Sequence, residues 1–422
     1  MLNKLKPKSE FSRNVLTLMT GTTIAQAVPI AISPILTRIY TPEDFGVFAL
    51  YMAIAAIISV IATGRYEMAI MLPKKDESAV NIVVLSVIIS FFVSFITFLM
   101  VYIFNSQITN LLGNQEISNW LYFIPITVLL TGIYQSFNYW SNRKKEYKRL
   151  AISRVVQSGT TATSNLSMGY SGFGSIGLIL GGVIGQSIAT SVLGRLIYKE
   201  DKNIFKRVTK LKVLAVAKRY IKFPKFLILA HGMNALSGQS PILLLSSLFN
   251  VSVVGFYMIV QRVVGLPMSI IASAISDVFR QKASVEYINN GNCKDIFKST
   301  FKKLLLIAII PFIFFYIYAP ELFAFVFGKE WKVAGEYAQI LTPMFFLQFA
   351  TSPLSSMFMI AEKQQLDLYW QIFLLIITVL AILTGKYLYD NIESTLLLFS
   401  LGYSTAYIIN IFMTYKFAKG NL

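Results

Sequence analysis

Stretches of about 20 predominantly apolar residues follow one another along the whole chain, each broken by a short polar turn. A helix of that length spans the roughly 30 Å of hydrocarbon in a bilayer. Of the 422 residues only 14% are charged, against roughly 25% in a soluble protein. The pattern predicts an all-α polytopic membrane protein with about twelve transmembrane helices. Spans are expected at 14–37, 46–72, 80–104, 118–140, 149–170, 174–198, 223–248, 253–277, 301–327, 336–360, 367–388 and 392–416. No strand is called for, because a helix satisfies its own backbone in lipid. Residues 1 to 27 carry the basic start and the "AQA" of a cleaved signal peptide. "TGTT" interrupts the apolar core, however, and the run continues past Pro29 to Leu36, which favours a retained first span.

The basic residues fall on alternate loops: Lys4, Lys6, Lys8 and Arg13; Lys74 and Lys75; Arg143 to Arg149; Lys199 to Lys225; Arg280 to Lys303; then Lys416 and Lys419. The intervening loops are nearly bare. By the positive-inside rule both termini are expected in the cytoplasm, and the net charge of +18 reflects topology, with no nucleic-acid partner implied. The densest basic stretch divides the chain into a 1–198 lobe, a 199–222 cytoplasmic linker and a 223–422 lobe. That linker has the makings of a short amphipathic helix on an anionic leaflet.

The two halves echo one another. "PILTRIYTPEDFGVFALYM" (34–52) returns as "PILLLSSLFNVSVVGFYMIVQR" (241–262), each preceded by serine. "LLGNQEISNWLYFIPITVLLTGIYQSF" (111–137) returns as "VFGKEWKVAGEYAQILTPMFFLQFATSPLSSMF" (326–358), with a glycine closing the third helix of each half and Pro125 or Pro343 inside the fourth. Repeats in one orientation predict two pseudo-symmetric six-helix lobes around a central cavity. "TPED" reads as helix capping, with Thr41 at the N-cap and Pro42 after it.

Charges within apolar spans are costly and mark function or pairing. Arg262 lies well inside the eighth span next to Gln261. Ser269, Ser273, Ser276 and Arg280 follow at helical spacing, a polar stripe that reads as a cavity wall or as an interhelical tie. The fifth span repeats Arg154, Gln157, Ser158, Thr161 and Asn165, natural toward a wet lumen, with Arg154 equally placed for a headgroup. Arg65 and Glu67 sit in a span expected to run to Leu72. Being two positions apart they do not share a helical face, so one is expected toward the cavity and the other toward a neighbouring helix. Arg38 closes the first span as a cavity or an interfacial charge. The seventh span carries His231 and Asn234 with Gly238, Gln239 and Pro241. His231 reads as a packing residue or, with Glu67, as an ion-coupling group.

Other chemistry is disfavoured. One cysteine, Cys293, and one histidine argue against a disulfide framework or a Cys/His metal site, so no metal or cofactor is expected. "GFGSIG" at 172–177 matches a dinucleotide pattern but follows no strand and opens a span. Gly177, Gly181 and Gly185 read instead as a close-packing helix face.

Taken together, "PILTRIYTPEDFGVFALY", "RYEMAIMLPKKDESA", "FPKF…SGQSPILLLSSLF…VGFYMIVQRVVGLPMSIIASAISDVFRQKA" and "FGKEWKVAGEYAQILTPMF" resemble the Wzx-type polysaccharide flippases of the multidrug/oligosaccharidyl-lipid/polysaccharide exporter superfamily, over nearly the whole chain. The resemblance implies a V-shaped cavity between two six-helix lobes. It also implies translocation of undecaprenyl-diphosphate-linked oligosaccharide across a bacterial inner membrane for O-antigen or capsule synthesis, alongside membrane lipids and the polysaccharide polymerase machinery. Cavity arginines of related flippases fall on Arg38, Arg65 and Arg262; Arg38 departs from the pattern by its position at a helix end. A diphosphate would be met by the planar fork of arginine. The rivals are a cation-coupled drug exporter of the same superfamily, which would favour acidic residues in its spans, and a membrane-embedded polymerase, which would need larger outer loops.

Overall fold

The computed structural model describes the backbone of residues 10–420 and the side chains of residues 19–420; Lys4, Lys6, Lys8 and the Arg13 side chain lie outside the described residues. The described chain is helical throughout, with no strand. Two compact units are present, Met1–Ala235 and Leu236–Leu422. The first holds α1 (Glu10–Leu36), α2 (Pro42–Ser59), α3 (Asp76–Leu112), α4 (Ile117–Trp120), α5 (Ile124–Arg143), α6 (Tyr147–Tyr170), α7 (Ser175–Phe205), α8 (Lys210–Arg219) and the start of α9 (Ile228–Leu248). The second continues with α10 (Val251–Val260), α11 (Leu266–Asn290), α12 (Lys294–Phe327), α13 (Lys332–Thr351), α14 (Met357–Ile360), α15 (Gln364–Thr384) and α16 (Ile392–Ala418). Among the described residues, nine helical stretches are long and apolar enough to cross a membrane. α6, α9 and α13 are not among them.

The distribution of side chains is that of a protein solvated by lipid. On α3, Ser86 and Ser90 are fully buried while Phe91, Phe92 and Phe95 are exposed. In water that order would be reversed. The inward hydroxyls donate to the carbonyl one turn back, Ser86 to Ile82 at 2.9 Å and Ser90 to Ser86 at 2.8 Å, so the apolar interior leaves neither unsatisfied. Ser94 instead reaches across to the Pro125 carbonyl of the α4–α5 rod at 2.7 Å, tying the two spans together.

The glycine face of α7 packs against α6 as its spacing predicts. A Cβ at Gly181 would overlap the Asn165 side chain, and one at Gly185 would overlap Thr161. Only hydrogen at these positions lets the two backbones approach so closely. The capping motif also forms as read: Thr41 Oγ1 accepts from the Asp44 amide at 3.2 Å, and Asp44 accepts from the Thr41 amide at 2.9 Å.

Each half writes the same devices. α1 turns into α2 at Thr41; α9 turns into α10 at Asn250, whose side chain accepts from the Val253 amide at 2.9 Å. Gly113 and Gly328, both at positive φ, close α3 and α12. Pro343 lies inside α13, whereas Pro125 falls in the first turn of α5 after a 3-10 turn, so the fourth-helix prolines are equivalent in sequence but not in local geometry.

Some spans are interrupted: the tenth, expected over 336–360, leaves α13 at Thr351 for a 3-10 turn over Ser352–Ser356, and the second departs furthest. The second was expected to continue to residue 72, but α2 stops at Ser59. Gly64 and Arg65 then both take left-handed backbone, with φ of 60° and 61°, and a 3-10 turn covers Tyr66–Met71. A regular helix cannot pass two consecutive residues at positive φ.

Candidate functional site

In the second unit the α10–α11 rod is interrupted by a π turn, Gln261–Gly265. Pro267 explains the break. It has no N–H to give the carbonyl of Val263, and its ring crowds the preceding turn. The widened turn carries Gln261 and Arg262 into the wall of a cavity of about 410 Å³. Met258, Leu266, Met268 and Ser269 come from the same rod; Phe345, Gln348, Phe349 and Ser352 come from α13 and the turn after it. Gln261 donates to the Tyr257 hydroxyl at 2.6 Å, which fixes its carboxamide beside Gly265. The lining holds one cation and no carboxylate.

The polar stripe below Arg262 was expected to line a cavity along its length. It divides instead. Ser269 is in the lining; Ser273 donates to its own helix at Ile270, 2.9 Å away. Ser276 lies within reach of the Pro353 carbonyl at 3.2 Å and the Ser356 hydroxyl at 3.1 Å, an interhelical tie, and Arg280 pairs with Asp277 at 2.8 Å on the surface.

A second cavity, of about 430 Å³, lies within the first unit between α1, α5 and α6. Arg154 and Gln157 both line it, with Thr22, Gln26, Tyr134 and Asn138. Arg154 Nη1 donates to Thr22 Oγ1 at 2.6 Å, and Gln157 donates to the Gln186 carboxamide. Here too one arginine faces polar, uncharged neighbours.

Arg65 and Glu67 meet each other. They were expected on different faces of a continuing helix, but the left-handed turn folds Arg65 Nη1 to 3.4 Å from Glu67 Oε1. Glu67 is only 1% exposed and also accepts from Thr63. Arg65 Nε is buried without a hydrogen-bond partner. His231 on α9 lies within electrostatic reach of both residues.

The remaining sites lie apart. Arg38 is exposed in the turn after α1, and Asn234 is exposed on α9. The sequence reading missed Gln348, the lone amide in the aromatic run "FFLQF", and the polar partners Gln26 and Asn138. It also counted Arg149 only among the basic residues of a loop, with no partner assigned. Arg149 is 5% exposed and pairs with Asp201 at 2.8 Å and with Glu200.

A family described as polysaccharide biosynthesis protein matches residues 35–336. The chain belongs to that family. Among curated proteins none matches it by sequence. Solved structures share this fold. A multidrug resistance MATE family transporter of the MOP superfamily is 16% identical, with 94% of this chain and 93% of that one covered and a TM-score of 0.72. The MATE multidrug transporter DinF-BH is 14% identical, covering 96% of each chain at a TM-score of 0.66. A MOP superfamily transporter from Pyrococcus furiosus, described as having a binding pocket of reverse polarity that suggests a different function, is 14% identical, covering 95% and 94% at a TM-score of 0.64.

Proposed function

We propose that this protein is a flippase that carries undecaprenyl-diphosphate-linked oligosaccharide repeat units across the bacterial inner membrane by alternating access, for O-antigen or capsular polysaccharide synthesis. The observation that carries the reading is Arg262 in the wall of a cavity that holds two amides and two hydroxyls but no acid. A diphosphate needs cations that remain charged at every physiological pH, and the guanidinium fork matches two phosphate oxygens at once. Gln261, Ser269 and Gln348 are suited to sugar hydroxyls. Arg154 and Gln157 offer the same chemistry in the first unit. Arg38, Arg65 and Asn234 complete the proposed path, both termini are cytoplasmic, and Glu67 with His231 supplies ion coupling. The exported repeat unit would pass to the polysaccharide polymerase machinery.

A cation-coupled drug exporter is the second reading, favoured by the MATE fold neighbours. A site for cationic drugs would need carboxylates, and neither the Arg262 cavity nor the Arg154 cavity has one. The test is deletion of the gene followed by analysis of lipid-linked glycans. The flippase reading expects an undecaprenyl-diphosphate oligosaccharide to accumulate on the cytoplasmic face and surface glycan to be lost. Unchanged glycan with heightened sensitivity to cationic drugs would establish the exporter instead.

A further inference from the structure

α8, with the sequence "KLKVLAVAKR", has two unlike apolar faces. Val216 is buried, and Val213, Ala217 and Tyr220 pack against the core formed by Tyr66, Ile70, Val80 and Val83. The opposite side leaves Leu211 81% exposed and Leu214 52% exposed, one helical turn apart. The helix is held firmly in place. Thr209 caps it and donates its own amide to Asn81 at 3.4 Å, and Tyr66 donates to the Ala217 carbonyl at 3.0 Å. α8 is thus a fixed shelf whose outer apolar strip is left exposed by the described residues.

Beside this shelf are two adjoining clefts, of about 480 and 230 Å³. Lys74, Lys75 and Arg207 line the larger; Lys212 and Arg219 line the smaller; Glu77 is common to both. The acids are already engaged. Asp76 takes Arg143 Nε and Lys144 Nζ, each at 2.9 Å, and Glu77 takes Arg207. The cations that remain outnumber the carboxylates left to meet them. On α7 and in the π turn Phe223–Leu227 before α9, Tyr198 and Phe226 are also exposed, amphipathic or apolar rings flanking the basic stretch as at a membrane interface.

We infer that these clefts bind the phosphate headgroup of an anionic phospholipid of the surrounding bilayer, with Lys75, Lys212 and Arg219 as its cations and Leu211 and Leu214 seated in the acyl boundary. A soluble anion would satisfy the cations and leave the leucines in water. A lipid satisfies both at once. The site is independent of the transport reading and would be occupied whether or not substrate moves.

The test uses the full chain in nanodiscs, with spin-labelled phosphatidylglycerol and spin-labelled phosphatidylcholine as probes of motionally restricted lipid. Wild type should hold phosphatidylglycerol preferentially. Removing charge from Lys75, Lys212 and Arg219 to glutamine should weaken that preference by roughly fivefold per charge at low salt. The L211Q/L214Q variant should also lose phosphatidylglycerol, while a K416Q/K419Q control should not. All substituted positions are exposed, and intrinsic fluorescence melting of each variant reads the fold separately. An unchanged preference in the triple variant overturns the site. Displacement of the labelled lipid by millimolar inorganic phosphate, with no effect of L211Q/L214Q, overturns the lipid in favour of a soluble anion. Because the readout is lipid retention, either failure leaves the flippase reading intact.

Discussion

Trp140 donates its indole N–H to the Asp201 carboxylate at 3.0 Å, and the same oxygen accepts from Arg149 at 2.8 Å. Three helices, α5, α6 and α7, therefore meet on one buried charge. Trp140 is fully buried and Asp201 is 6% exposed. Removing one member of such a pair strands the other without water to solvate it, which typically costs about 3–5 kcal/mol. Asp201→Ala should therefore lower the unfolding temperature of the purified protein far more than the double change R149M/D201L, which removes both charges and keeps volume. Equal losses in fluorescence-detected thermal unfolding would show that the charges do not depend on one another.

Arg65 and Glu67 allow a cleaner separation of structure from function. Arg65→Ala leaves Glu67 buried against Thr63 alone, so less folded protein is expected as well as less export. R65A/E67Q removes the stranded charge and should restore membrane-inserted protein to near the wild-type level. Export per inserted molecule should stay low if Arg65 touches substrate. Full recovery of export in the double variant would reduce Arg65 to a counter-charge for Glu67.

The helical rods, the Thr41 cap and the glycine face of α7 are legible in the sequence because each depends on spacing within one segment. The break at Gly64–Arg65 is not, since the apolar residues on either side of "TGRYE" read as one span and only the glycine hints at φ near +60°. The π turn at 261–265 is hidden for a related reason. Pro267 announces a disturbance, but whether the chain kinks or widens depends on what packs beside it, here Phe345 next to Gly265. Arg149 was beyond reach because its partner is 52 residues away, and a basic loop residue looks the same whether solvated or paired. At the candidate site, polar residues inside apolar runs were readable one by one. Their grouping into two separate cavities was not.

Cys293 makes the topology testable without a cysteine-free background. It is 1% exposed, lies within 3.5 Å of Met357 Sδ, and burial, with Glu286 nearby, pushes its thiol up to about 11. At pH 8 about one part in a thousand is thiolate, so maleimide should leave the native wild-type protein unlabelled and react only after denaturation. Gln115→Cys and Lys210→Cys introduce thiols at exposed positions. In intact cells an impermeant maleimide should label position 115 and spare position 210. Labelling of position 210 from outside would invert the proposed orientation and remove the cytoplasmic assignment of both termini.

Arg262 carries the central proposal. The π turn that follows from Pro267 holds it in a cavity wall, away from the regular helical register, and no carboxylate shares that cavity. Arg262→Ala should abolish surface-glycan export while the protein still inserts. Arg262→Lys should keep partial activity, because lysine retains the charge but loses the fork that grips two phosphate oxygens. Losing one bidentate, charge-assisted contact of about 1.5–3 kcal/mol corresponds to a roughly ten- to hundredfold fall in apparent affinity for the lipid-linked diphosphate. A purely structural arginine would behave differently: lysine and alanine would both lower folded protein, and export would fall only in proportion. The deciding quantity is glycan exported per inserted molecule, measured for wild type, R262K and R262A in one strain. Wild-type export per molecule in R262A would refute diphosphate recognition at this residue and shift the search to Arg154 and its own cavity.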